Sequence, residues 1–95
     1  MTSTNKKNIA ILGSTGSIGT QALEVIHANP DHFSAYALTA GSNVNLLIEQ
    51  CRQFEPEIAV IADDSKYLQL KDALSDLPVK VFAGAEAIAQ VAEMD

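Results

Sequence analysis

The sequence predicts an α/β protein, a doubly wound parallel sheet of about four strands and four helices. Three observations carry that prediction. Short apolar runs alternate with amphipathic stretches along the chain. The amphipathic stretches repeat their apolar residues at helical spacing. A glycine-rich turn joins the first run to the first stretch. Alternation of strand and helix builds parallel sheets, because each parallel connection must cross over and does so right-handedly.

The elements follow in order. Asn8 to Leu12 is a short apolar run ending at Gly13, which suggests a strand buried on both faces. Ser17 to Ala28 carries Ile18, Ala22, Val25 and Ile26 at helical spacing. Asn29-Pro30-Asp31 stops that helix, since proline disfavours helical geometry in the residue before it. Phe33 to Ala40 is the second strand, broken by Gly41-Ser42-Asn43. Val44, Leu47, Ile48, Cys51 and Phe54 form the apolar stripe of a second helix, and Glu55-Pro56-Glu57 turns the chain. Ile58 to Ala62 is a third strand. Asp63, Asp64 and Ser65 offer helix caps, and Tyr67, Leu70, Leu74 and Leu77 are spaced for a third helix. Val79 to Phe82 is a fourth strand. Gly84 to Glu93 is a fourth helix with Ala85, Ile88, Ala89 and Ala92 inward. The common order for such sheets places the first strand inside, strands two and three on one side and the fourth on the other. The outer edge of the fourth strand then lies open, with Lys80 its only charge.

The chain has 95 residues, so at most one domain fits. It is 47% apolar and 19% charged, which is globular composition. Six Lys and Arg stand against twelve Asp and Glu, a net charge of −6. A nucleic-acid partner needs a basic face, so that class is excluded. No apolar stretch approaches the roughly 18 residues of a membrane span, so no membrane partner is expected. Met1 to Asn8 is polar with Lys6 and Lys7, unlike a signal peptide. The single cysteine, Cys51, has no internal disulfide partner, and a cytoplasmic setting is expected.

The chemistry sits in Gly13-Ser14-Thr15-Gly16-Ser17-Ile18-Gly19. Gly13 lets the chain turn sharply out of the strand. Gly16 lacks a Cβ, so a pyrophosphate can approach the backbone. Gly19 allows helix and sheet to pack closely. The helix start then offers unpaired N–H groups and the positive end of the helix dipole. An acidic protein can hold a polyanion this way, and any grip on the pyrophosphate must come from backbone amides around Gly13, Gly16 and Gly19, because no Lys or Arg occurs between Lys7 and Arg52. The spacing is G-x-x-G-x-x-G rather than the usual G-x-G-x-x-G, and its place between strand and helix gives it weight. The bland alternative is a tight turn with no ligand. A Rossmann-like nucleotide fold is the expectation.

A second signal is an absence. An NAD site usually carries Asp or Glu at the end of the second strand, to accept from the ribose 2′-hydroxyl. Here Leu38-Thr39-Ala40-Gly41-Ser42-Asn43 has no acid. Ser42 and Asn43 can donate to a 2′-phosphate, which favours NADP. Asn43 can equally cap the second helix. Other residues have plainer readings. His27 and His32 flank the turn at the opposite end of the sheet and belong to the surface. Cys51 belongs to the core. Asp63 and Asp64 cap a helix. Glu49 and Arg52 form a solvated pair. No His, Cys and carboxylate arrangement has metal-ligand spacing.

Ile9 to Gly19, with its Gly-Ser-Thr-Gly-Ser-Ile-Gly run, resembles the opening of the 1-deoxy-D-xylulose 5-phosphate reductoisomerase family. Asn29 to Phe33, Ala37 to Asn43 and Pro56 to Val60 are similar to that family too. The resemblance covers nearly the whole chain after Lys7. It implies an NADPH-dependent enzyme of the non-mevalonate isoprenoid route, converting 1-deoxy-D-xylulose 5-phosphate to 2-C-methyl-D-erythritol 4-phosphate. It implies a divalent metal (Mg or Mn), a phosphosugar substrate and a homodimer. On matching positions Thr15, Gly16, Ser17 and Ile18 would meet the cofactor pyrophosphate and nearby groups. Gly41, Ser42 and Asn43 would hold the 2′-phosphate end. The family's metal carboxylates, substrate-phosphate site and active-site loop have no counterpart here. Residues 1–95 are therefore expected to be the N-terminal NADP-binding domain, truncated, without catalytic and C-terminal domains and inactive alone.

One position departs from the family pattern. Many members carry a basic residue where Ser42 stands. A neutral hydroxyl forgoes a charge-assisted contact worth roughly 1.5–3 kcal/mol. Two other readings stay open on sequence alone. One is the NADP-binding portion of a semialdehyde-dehydrogenase-like oxidoreductase. The other is a free-standing nucleotide-binding module.

Overall fold

A computed structural model describes residues 7–93 of the chain. The polar segment before Lys7, including Lys6, lies outside the described residues. The order is β1 (Lys7–Ile11), α1 (Ser17–Ala28), β2 (Phe33–Ala40), α2 (Val44–Phe54), β3 (Ile58–Ile61), a 3-10 turn (Asp64–Lys66), α3 (Tyr67–Ala73), β4 (Lys80–Ala83) and α4 (Ala85–Glu93). Strand and helix alternate as expected. The third helix is shorter than its apolar spacing suggests, because the chain leaves it at Ala73 in a string of turns.

All strand pairs are parallel, and the order across the sheet is β1-β2-β3-β4. This corrects the expected order. The first strand is an edge, not an interior strand, and the fourth pairs with the third. The cause is where the helices pack. Leu23 and Ile26 of α1, Leu47 and Cys51 of α2 and Leu70 of α3 join one core cluster on one face of the sheet. Successive right-handed crossovers on one face must carry the strands in one direction. Helix α4 packs on the opposite face. Its Val91, Ala87 and Ile88 meet Ala37, Val60 and Ala10. Helices thus cover both faces of this incomplete Rossmann-like sheet.

The edge position explains a second correction. β1 is not buried on both faces. Lys7 and Asn8 are exposed and only Ile11 is buried. On α1 the inward face is Gly19, Leu23 and Ile26, with Ala22 half-buried. Ile18 and Val25 point outward instead, since none of the described residues covers α1 on the side beyond β1. On α4 only Ile88 of the expected inward set packs. Ala85, Ala89 and Ala92 are exposed, and Val91 is buried in their place. Valine offers more apolar area than alanine, so it sets the helix phase. The open outer edge of β4 holds as expected, with Lys80 exposed on it.

The main core lies between the sheet and the three helices of one face. Leu38, Leu47, Ile61 and Leu70 are fully buried there. Each contributes about 1.5–3 kcal/mol relative to exposure. Arg52 does not pair with Glu49. It reaches α3's end, where it donates to Asp76 at 2.8 Å and to the Ala73 carbonyl at 2.7 Å. A backbone carbonyl and a carboxylate side by side satisfy the guanidinium fork better than one helix neighbour.

Candidate cofactor site

The site is built where β1 and β2 end side by side. Ile11 lies opposite Leu38 in the register, so the loops that follow both strands emerge together. The first loop runs from Leu12 to Gly16. Gly13 has φ +74°, a left-handed conformation that suits glycine. Its N–H donates to Thr39 Oγ1 at 2.8 Å, and the Ser14 N–H donates to the Thr39 carbonyl at 2.7 Å. Ser14 is fully buried. Its hydroxyl donates to Gln50 Oε1 at 2.7 Å, and Gln50 Nε2 donates back to the Ser14 carbonyl at 2.8 Å. Every polar group in this buried pair therefore has a partner, as burial demands.

Each glycine has its own reason. A Cβ on Gly19 would stand 2.2 Å from the Gly13 carbonyl oxygen and 2.7 Å from Ser14 Cα. Its close packing is thus against the loop itself, not against the sheet as the sequence suggests. A Cβ on Gly16 would stand at an ordinary 3.5 Å from the Gly13 oxygen. The backbone there has φ −83°, open to any residue. Gly41 has nothing within 4 Å of a Cβ. The fold needs glycine at Gly13 and Gly19 but not at Gly16 or Gly41. A ligand lying close to the backbone would need it at the latter two.

Helix α1 begins at Gly16 with no side-chain cap and no acid in its first turn. Its first amides and the positive dipole end are left open. Thr15 is half-buried, and Gly16, Ser17 and Ile18 are exposed. The Thr20 hydroxyl donates back to the Ser17 carbonyl at 2.9 Å.

Gly41, Ser42 and Asn43 form the second loop, all exposed. The Gly41 carbonyl accepts from the Asp63 N–H at 3.0 Å, which ties this loop to the end of β3. Asn43 caps α2, its Oδ1 accepting from the Leu46 N–H at 3.3 Å. That cap uses the acceptor and leaves the amide donor free for other work. The structure brings all nine sequence-predicted residues to one end of the sheet: Gly13, Thr15 to Gly19, and Gly41 to Asn43.

Of the residues given plain readings, His27, His32, Cys51 and Asp63 keep them, whereas Arg52 pairs with Asp76 rather than Glu49 and only Asp63 of the two acids caps. His27 and His32 are exposed at the far end of the sheet. Cys51 is fully buried, and burial pushes its thiol up to about 12. Asp63 caps the turn after β3, accepting from the Ser65 hydroxyl at 2.6 Å and the Ser65 N–H at 3.0 Å. These bonds hold its carboxyl below the ordinary range. Among the described residues no three His, Cys, Asp or Glu side chains are grouped to hold a metal ion. No helix among them is long and apolar enough to cross a membrane. Sequence reasoning missed Thr39 and Gln50. Gln50 had a signal, since it lies three residues after Leu47 and four before Phe54, in the register of the apolar stripe.

Comparison with known proteins gives a consistent result. A family model described as 1-deoxy-D-xylulose 5-phosphate reductoisomerase matches residues 9–95. The enzyme of that name from Phocaeicola vulgatus is 67% identical over 88 residues, 93% of this chain and 23% of the relative. The Saccharophagus degradans enzyme is 49% identical over 88 residues, 90% of this chain and 22% of the relative. A solved Zymomonas mobilis reductoisomerase in complex with NADPH superposes with a TM-score of 0.90 and 40% identity, over 95% of this chain and 24% of that one. A solved reductoisomerase with NADPH, fosmidomycin and magnesium gives 0.84 and 33% identity, over 90% of this chain and 21% of that one. The chain thus spans about a quarter of the length of these relatives.

Proposed function

We propose that this chain, which belongs to the 1-deoxy-D-xylulose 5-phosphate reductoisomerase family, supplies the phosphate-binding part of an NADPH site. The observation that carries this is Gly16. It is a glycine with no strain and no crowding to require it, at the open start of a helix. Open amides at Thr15, Ser17 and Ile18 suit the pyrophosphate, and Gly16, whose own N–H donates to the Gly13 carbonyl at 3.0 Å, leaves it room to approach. Ser42 and the amide donor of Asn43 suit the 2′-phosphate, and β2 ends without the acid that an NAD ribose site carries. Family membership sets aside the semialdehyde-dehydrogenase-like alternative.

The rest of the reading concerns the complete protein. Residues 1–95 form the N-terminal part of its NADPH-binding domain, and the metal and catalytic groups come from elsewhere. That protein is a cytoplasmic homodimer that rearranges 1-deoxy-D-xylulose 5-phosphate and reduces it to 2-C-methyl-D-erythritol 4-phosphate. NADPH supplies the hydride, and a divalent metal (Mg or Mn) holds substrate oxygens. The described residues offer no grouped ligands for that metal, so no step is assigned to it within this chain. This chain's share is to bind and orient the dinucleotide. The test is NADPH oxidation by the complete protein, with and without the phosphosugar and with Mg²⁺ or Mn²⁺. Substrate-dependent oxidation of NADPH, with NADH much poorer, is expected. Equal rates with NADH, or no dependence on the phosphosugar, would overturn the reading.

A further inference from the structure

We infer that Gln50 is a positioning residue for the cofactor, reaching from α2 to aim the Thr15 amide outward at the phosphates. The inference rests on the NADPH reading and adds a residue that touches no ligand. Ser14 is held at three points: its N–H by the Thr39 carbonyl, its hydroxyl by Gln50 Oε1 and its carbonyl by Gln50 Nε2. The last of these sets a direction. The peptide between Ser14 and Thr15 is planar and trans, so its C=O and N–H point opposite ways. Gln50 draws the Ser14 carbonyl into the protein, and the Thr15 N–H must then face out. No protein acceptor takes that N–H among the described residues. Gln50 itself is buried and spends its amide on Ser14.

A merely structural glutamine would satisfy the same buried groups of Ser14, so the two roles separate only in how NADPH binding responds. A leucine in its place would fill the same inward register. It would leave the Ser14 carbonyl and hydroxyl buried without partners, and the peptide free to rotate. The loop would still turn at Gly13, which Thr39 ties independently.

The test uses the complete protein with Gln50→Leu, Gln50→Glu and Gly16→Val. The dissociation constant for NADPH, the KM for NADPH and kcat are measured. Gln50→Leu is expected to weaken NADPH about tenfold in both constants, with kcat and the phosphosugar KM within about twofold. Gln50→Glu separates aiming from packing. Its carboxylate faces the Ser14 carbonyl with no donor and weakens NADPH at neutral pH. When protonated it can donate to that carbonyl, so affinity recovers toward the parent value as pH falls. Glu24 and His27 of α1 line the same groove, but the parent protein carries them too and is the control for their titration. A parent-like NADPH constant in Gln50→Leu, with Gly16→Val impaired, overturns the Gln50 inference alone. So does a Gln50→Glu defect that acid does not relieve. If Gln50→Leu does not fold, the pH profile of Gln50→Glu decides. A Gly16→Val protein with unchanged NADPH affinity overturns the NADPH reading and this inference together.

Discussion

Replacing Gly19 by alanine puts a methyl group 2.2 Å from the Gly13 carbonyl oxygen, 2.7 Å from Ser14 Cα and 2.9 Å from the Gly13 carbonyl carbon. All three atoms are backbone, so no side chain can swing aside. Loop and helix must part by the better part of an ångström. Overpacking of this kind costs about 3 kcal/mol at the upper end of its usual range. Alanine returns about 1 kcal/mol, because glycine is the poorer residue inside a helix. The net loss is about 2 kcal/mol, a fall in Tm of about 8–16 °C for a chain of this size. Gly16→Ala is the matched control. Its methyl group meets the same oxygen at 3.5 Å, so stability should change by no more than about 0.5 kcal/mol. Urea and thermal unfolding of the two variants, followed by circular dichroism, make the comparison. If Gly19→Ala is as stable as the parent, or if both variants lose the same stability, the assignment of the glycines to separate jobs is wrong.

Four further outcomes follow from the same structure. Cys51 is a buried neutral thiol, so a thiol-specific reagent at pH 8 should label it only as fast as the chain unfolds; rapid labelling of folded protein would contradict its burial. Its folded pKa of about 12 lies above the unfolded value near 9.0, so the unfolded chain ionises first and stability should fall as pH rises between them, a loss that Cys51→Ala should remove. Asp76 titrates below its ordinary range beside Arg52, so the pair contributes above that range and is lost as pH falls; Asp76→Asn should flatten this part of the acid-unfolding curve, and added salt should weaken the pair in the parent. Ser42→Arg would add a guanidinium at the proposed 2′-phosphate end and should raise the preference for NADPH over NADH by about tenfold or more in competitive titrations; an unchanged ratio would place the 2′-phosphate elsewhere.

Much of this molecule is legible in its sequence because the signals are local. The bounds of α1 and β2 follow from Pro30, from Gly41 and from the apolar spacing between them. The glycine loop is legible because strand, turn and helix succeed one another within a few residues. Strand order is not legible in the same way. Right-handed crossover fixes the hand of each connection but leaves open which face each helix takes. Only the packing of Leu70 and Leu74 beside Leu47 and Cys51 decides that α3 joins α1 and α2. The inward phase of α1 fails for a related reason. Ile18 and Val25 are apolar enough to read as core, yet they lie on the side beyond edge strand β1. Gln50 escapes notice because a polar residue in an apolar stripe looks like a flaw in the pattern. Its partner Ser14 lies 36 residues away, and only the fold brings them within 2.7 Å.

In the proposed site the loops after β1 and β2 hold NADPH chiefly through backbone amides. Hydrogen–deuterium exchange of the complete protein, with and without saturating NADPH, tests it at the amides concerned. New protection is expected across Thr15 to Gly19 and Gly41 to Asn43. The turn at Asn29 to His32, at the other end of the sheet, should be unchanged. Binding of NADPH with no protection at the glycine loop, or with protection centred on the far turn, would contradict this placement of the site.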